Sequence, residues 1–283
     1  MRAFDDERLF PLRTLTTPPT AAPPFDHLVH IISGAQTPRV WSLLVTVFGD
    51  LAQQETARIS GQALNHLARL IGLKPEAVRV ALHRLRKDGW IDSQRSGRTS
   101  AYHLTPFGRA RSAEASPLIY AKSPQAQEAW LVLTDPALPA MEYDGTGAWL
   151  TANTLIAPAE PTGEGVYASL IGPEATLPGW MTARICAPEL ARQSRDLVER
   201  LRALREQLEQ HSLSPPQIAA LRVLVVHSWR RVALKAPDLP GHVFPKDWAG
   251  QACRDLVADL LAQLPAQRLN ILEQSVSETR RTG

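Results

Sequence analysis

The chain has 283 residues, 44% hydrophobic and 21% charged, a balance that fits a folded globular protein of about two domains and excludes a disordered or fibrous one. No apolar run is long enough to cross a bilayer, and charges and prolines interrupt the N-terminus where a secretory signal would need an apolar stretch, so a cytoplasmic location is expected. Net charge is only +3, and two widely separated cysteines, Cys186 and Cys253, read as buried free thiols, with no metal or cofactor implied.

Residues 1–29 are expected to form a flexible arm, rich in prolines (Pro11, Pro18, Pro19, Pro23, Pro24) and carrying Arg2, Arg8 and Arg13. Residues 38–48 read as a helix opening at Pro38, apolar over a wide face through Val40, Trp41, Leu43, Leu44, Val47 and Phe48. The most informative stretch follows at 60–105. Ser60 can cap a helix whose buried stripe is Ala63, Leu64, Leu67, Ala68 and Ile71. Gly72 stands where a left-handed turn is easiest, and Pro75 where a second helix would start without losing a donor. In that helix Val78, Ala81, Leu82 and Leu85 face inward, while Arg79, His83 and Arg86 fall on another face. Trp90-Ile91 and Ala101–Leu104 read as short strands around a basic turn, Ser96-Gly97-Arg98.

Two helices joined by a tight turn and followed by a hairpin form the pattern of a winged helix-turn-helix, in which the second helix lies in the DNA major groove. Charge supports it: residues 58–111 hold eleven Lys and Arg against three Asp and Glu, +8 in a chain of +3, leaving −5 elsewhere. Arg79, His83 and Arg86 are the expected groove contacts, Lys74 and Lys87 the phosphate contacts, and Arg95 and Arg98 the hairpin's contacts to phosphate or the minor groove. Arg84 lies close to the apolar stripe, where a DNA contact and a structural ion pair are both open. Double-stranded operator DNA is therefore the expected partner. A winged-helix unit that binds a partner protein instead would show little salt dependence.

The winged-helix domain is expected over 30–122 and a central α+β domain over 123–187, with strand candidates at 129–134, 148–150, 154–156 and 166–171. A helical domain follows over 188–283. Its first helix, 188–211, carries Leu190, Leu197, Leu201, Leu204 and Leu208 along one side, a core stripe or, alternatively, a dimer contact. The next runs from Pro215-Pro216 to Ala233 and ends in a basic cluster, His227, Trp229, Arg230 and Arg231. That cluster can hold an anionic effector, or can cap the helix and neutralise Asp238 or Asp247. A final helix spans about 250–264.

Three blocks resemble the PaaX family of phenylacetate-degradation repressors: Leu43–Asp50, ending in Phe-Gly-Asp; Val78–Trp90 with Gly97-Arg98, Tyr102–Pro106 and Gly108; and His227–Arg231 with Pro237–Pro240 and Pro245–Gly250. The resemblance covers roughly 30–120 and 215–265, and the third block is the specific one. It implies an α+β protein with an N-terminal winged helix, a central ferredoxin-like domain similar to that of Cas2 proteins, and a C-terminal helical domain. It further implies a homodimeric repressor of aromatic-acid catabolism released by an aryl-acyl-CoA such as phenylacetyl-CoA. Here the family's Arg-rich helix after the first central strand is replaced by Asp135–Gly147, which contains no arginine. No nucleophile elbow, phosphate-binding glycine loop or zinc signature is present, so a non-enzyme is expected. The alternative from another class is a metal-dependent nuclease built on the Cas2-like domain, with Asp135 as a conceivable ligand.

Overall fold

The computed structural model describes residues 24–34, 39–96, 99–138, 143 and 147–282, with only the backbone described for Ser96, Thr99 and residues 276–282. Among these, the protein mixes ten α-helices with two antiparallel sheets. It opens with α1 (Phe25–Ser33), α2 (Val40–Leu51), a two-residue β1 (Ile59–Ser60), α3 (Gly61–Leu70) and α4 (Pro75–Lys87). The hairpin β2 (Ile91–Ser96) and β3 (Thr99–Leu104) follows, then α5 (Pro106–Tyr120). Residues 25–29, expected in the arm, are helical instead, because Leu28 and Ile32 lie one turn apart and are both fully buried. Arg2, Arg8 and Arg13 lie outside the described residues.

Local sequence explains the α3–α4 unit. The Ser60 hydroxyl accepts a hydrogen bond from the Ala63 N–H at 3.1 Å, satisfying one of the helix's open donors. Gly72 turns the chain at φ 80°, and Pro75 occupies the first turn of α4. The two expected stripes, including Ile71, are buried. Strands β1, β3 and β2 pair in that order, Ile91 facing Leu104 and Ile59 facing Tyr102. Trp90, expected at the start of a strand, lies just before β2. Its ring meets Trp41 edge-on at 6.0 Å and Phe107 at 5.8 Å. Gly108 packs so closely on the Trp90 carbonyl that a Cβ would stand 2.2 Å from the oxygen.

The middle of the chain gives β4 (Trp130–Thr134), β5 (Ala148–Thr151), β6 (Thr154–Ala157) and β7 (Val166–Leu170), ordered β5-β6-β4-β7 and antiparallel throughout. Residues 158–165, between β6 and β7, contain no helix. Alternation divides the sheet: Leu131, Ala148, Leu150 and Ile156 join the main core, while Val132, Leu155 and Ala157 form a small second cluster.

The rest is helical: α6 (Gly179–Ile185), α7 (Pro188–Leu208), α8 (Pro215–Ala233), α9 (Gly250–Gln263) and α10 (Leu269–Thr282). Helix α8 is the hub, with twelve buried residues, and packs against α1, α2, α3, α5, α7, α9 and α10. One continuous core therefore runs from the first helices into the last ones. The five leucines of α7 are all buried, and α7 packs on α1, α8 and α9, so its stripe belongs to the core and not to a dimer contact. Cys186 and Cys253 are buried and free. No described helix is long and apolar enough to cross a membrane.

Candidate nucleic-acid interface

Burying Val78, Ala81, Leu82 and Leu85 turns the opposite side of α4 to solvent. At 100° per residue, Arg79, His83, Arg86 and Lys87 converge on that side and are all exposed. Lys74 is exposed at the N-cap. Below the helix, His83, Arg86 and Lys87 line an open groove of about 680 Å³, floored by Ile91, Asp92 and Thr105. The one carboxylate there, Asp92, accepts from the Ser93 N–H at 2.7 Å.

Arg95 is exposed on β2, opposite Ser100. Arg98 lies outside the described residues. Arg84 stands to one side: its Nε is 3.5 Å from Asp88 and its guanidinium 5.6 Å from the centre of the Trp41 ring. Both partners are intramolecular, so Arg84 is drawn toward α2 and away from the Arg79–His83 line.

The sequence reading passed over Val80. It is 68% exposed, more than any other large apolar side chain described, and sits on the outward side of α4, past Lys87 from the Arg79–His83 line. Its lack of a place in the buried stripe was the available signal.

The four C-terminal candidates are not gathered into one site. Trp229 is 1% exposed. Its Nε1–H donates to the Ile119 carbonyl at 3.0 Å, and the Arg254 guanidinium lies over its ring at 5.4 Å. Arg230 donates to the Ser42 carbonyl at 3.2 Å and to Thr46 Oγ1 at 3.1 Å. His227 is 2% exposed, with Nδ1 3.1 Å from Thr46 Oγ1. Burial above all, with Arg230 and Arg231 adding to it, pushes the His227 imidazole down to about 3, so it is neutral. Arg231 is exposed on the far side of α8. The two acids suggested as neutralising partners are engaged elsewhere: Asp247 with Arg195, and Asp238 with the Gln125 N–H at 3.1 Å.

These contacts form a latch between α2 and α8, and two more ties reinforce it. Arg222 grips Asp50 through two bonds of 2.8 and 2.9 Å and donates to the Leu264 carbonyl at 3.0 Å. The Tyr120 hydroxyl donates to Asp50 at 2.7 Å. At the other end, Glu273 of α10 accepts from the Ser60 N–H at 2.7 Å and from its hydroxyl at 2.6 Å, holding the residue that caps α3. The α3–α4 unit is thus fixed from behind, and its basic face is presented rigidly.

Asp135, the conceivable metal ligand, accepts from the Ala137 N–H at 2.8 Å. Among the described residues no three His, Cys, Asp or Glu side chains gather as a metal site.

Residues 39–108 match the family model described as PaaX-like protein, and residues 187–274 match that of the PaaX-like protein C-terminal domain; together they span more than half of the chain. The chain is 28% identical over 262 residues to the transcriptional repressor PaaX of Escherichia coli (strain K12), covering 82% of this chain and 83% of that protein. Among solved structures it is similar to an uncharacterized protein from Mycobacterium tuberculosis. That likeness has 18% identity and a TM-score of 0.42, over 82% of this chain and 97% of the other.

Proposed function

This chain belongs to the PaaX family, and from that premise we propose that it is a DNA-binding transcriptional repressor whose α3–α4 pair and β2–β3 hairpin act as a winged helix-turn-helix. The observation that carries the reading is the outward side of α4, where Arg79, His83, Arg86 and Lys87 stand exposed above a buried apolar stripe. Laid in a major groove, this side offers guanidinium forks to guanine and an ammonium to phosphate. Lys74 and Arg95 flank it and reach the backbone on either side. Val80 gives the same surface an apolar point that suits a thymine methyl. The same role is extended to Arg98 from its sequence alone, since it lies outside the described residues.

The regulated genes are those of aromatic-acid catabolism of the phenylacetate type, and an aryl-acyl-CoA such as phenylacetyl-CoA releases the protein from its operator. The similarity to the Escherichia coli repressor supports the first part. A homodimer working in the cytoplasm fits a two-half-site operator. The strand order of the central sheet supports a ferredoxin-like reading: β4 and β6 are central, with the β5–β6 hairpin on one side and β7 on the other. The helix-free link from β6 to β7 departs from that pattern.

The test is fluorescence anisotropy on DNA from upstream of the chain's own gene, against a random duplex of equal length, with and without phenylacetyl-CoA. Tight binding to the upstream duplex alone, reversed by the thioester, is the expected outcome. Equal weak binding to both duplexes refutes the repressor. Specific binding that ignores the thioester refutes the effector and leaves the repressor standing.

A further inference from the structure

The third sequence block, which includes Trp229, Pro237–Pro240 and Trp248, takes no part in the nucleic-acid face. It builds a different feature. A recess of about 460 Å³ opens between the link 123–127 after α5, the loop 236–244, the last turns of α8 and the first turns of α9. Small-molecule sites occupy about 300–1,000 Å³, so the recess is of ligand size.

The walls are largely apolar and held in place. Trp229, Leu239, Phe244 and Trp248 contribute to them. The Phe244 and Trp248 rings stack at 5.1 Å with 13° between their planes. The Trp248 indole lies so close on Gly250 that a Cβ there would stand 2.4 Å from it. Gln251 ties the link to α9 by donating to the Lys122 carbonyl at 3.0 Å. These contacts fix the shape of the recess.

Two opposite charges stand on these walls, each anchored to backbone. Asp238 is 9% exposed. Its Oδ1 accepts from the Gln125 N–H at 3.1 Å, and its Oδ2 has no donor among the described residues. Arg254 spends Nη1 on two carbonyls at the end of α5, Leu118 at 3.1 Å and Ala121 at 3.4 Å. Its Nε and Nη2 have no acceptor among the described residues. Burial foremost holds the Arg254 guanidinium below its ordinary value, and the nearby Asp238 carboxylate opposes that shift. The two charges therefore feel each other across the recess without meeting as an ion pair. A nearly buried carboxylate oxygen without a donor is costly until something donates to it.

A group that bridges the two must donate on one side and accept on the other. A carboxamide does both and carries no charge. A carboxylate meets Asp238 as a like charge, and an ammonium meets Arg254 in the same way. No second cation lines the recess, so a phosphate finds no countercharge beyond the one that Asp238 already balances. We propose that this recess binds a small uncharged molecule with an apolar body and a carboxamide-type group, its N–H on Asp238 and its carbonyl on Arg254.

The site also touches the reading domain. Trp229 and Arg254 hold the carbonyls of Leu118, Ile119 and Ala121, and α5 runs from there back to the β2–β3 hairpin. An occupant that draws on Arg254 competes with the end of α5. This consequence rests on the repressor reading; the site itself does not.

The test uses the full chain, labelled with 15N at tryptophan, without DNA. Benzamide, benzoate and benzylamine are titrated separately at constant pH and ionic strength while the indole N–H resonances are followed. Benzamide should shift Trp229 and Trp248 along one saturable curve, in roughly the millimolar range for so small a probe. Trp149 and Trp180, exposed outside the recess, should not move. Benzoate and benzylamine, each facing one like charge, should bind at least tenfold more weakly. Asp238→Asn keeps an oxygen for the Gln125 N–H and should weaken benzamide at least fivefold, with far-UV circular dichroism unchanged. No saturable shift, or equal affinities for the three compounds, overturns the proposal whether or not the variant folds. So does undiminished benzamide binding by the folded variant. With DNA absent, none of these results touches the repressor reading.

Discussion

Replacing Asp50 by Asn tests the latch that holds the α3–α4 unit to the C-terminal helices. Asn keeps the shape and one acceptor oxygen but removes the charge and turns an N–H donor toward the Arg222 Nε–H. The Asp50 side chain is 1% exposed and that of Arg222 12%, so the guanidinium left behind has little water to turn to. Breaking a buried pair on one side costs about 3–5 kcal/mol, against at most ~1 kcal/mol for a surface pair. The Tyr120 hydroxyl loses its charged acceptor as well. Urea denaturation followed by circular dichroism reads the cost, which should appear as a lower midpoint with the slope unchanged. The double variant Asp50→Leu with Arg222→Met, which removes both charges, should recover most of the loss. A cost below ~1 kcal/mol for Asp50→Asn would show that the pair is solvent-screened and that the latch reasoning fails.

Three more outcomes are expected. Arg79→Ala should cost about 1–3 kcal/mol at one base pair of the operator, while Lys87→Ala should weaken binding to all duplexes and lower the salt slope by about one; a uniform loss from both in anisotropy titrations would remove the distinction between base and phosphate contacts. Replacing single operator thymines by deoxyuridine, which lacks the methyl group, should weaken the wild type at one position and leave Val80→Ala indifferent; if no position responds, Val80 reads nothing. His227 is held down to about 3 by burial in the folded state but titrates near 6.5 when unfolded. Unfolding thus takes up a proton between those values, and stability falls as pH falls, by about 1.4 kcal/mol per unit below pH 6.5. His227→Asn should flatten that part of the curve, and a variant that tracks the wild type from pH 7 to 5 would contradict the assignment.

The α3–α4 unit was legible because each of its signals is local: Ser60 before the stripe, Gly72 in the turn, Pro75 in the first turn, and two apolar periods with basic residues opposite. The leucine stripe of α7 was legible for the same reason, but its partners were not. Helix α5 escaped notice because it buries only Gly108 and Ile119 and contains Pro117, so no periodic stripe marks it. Helix α1 was hidden by the prolines before it. The latch was invisible for a different reason: Asp50 and Arg222 are 172 residues apart, as are Ser60 and Glu273 by 213. His227 and Arg230 looked like ligand groups because a basic cluster at a helix end gives no hint of what will cover it. The available signal was Thr46, a hydroxyl in the otherwise apolar run Leu43–Phe48, which needs a polar partner once that face is buried.

The most direct test of the account places a probe on α4 and asks what it touches. Both native cysteines are buried, so His83→Cys gives one accessible thiol among the described residues to carry an iron chelate that cleaves DNA nearby. On DNA from upstream of the chain's own gene, cleavage is predicted to fall in one short cluster per half-site, at positions facing the major groove. The same chelate on Arg202→Cys, exposed on α7, should give none. Diffuse cleavage from position 83, or equal cleavage from both positions, would contradict the assignment of α4 as the helix that reads DNA.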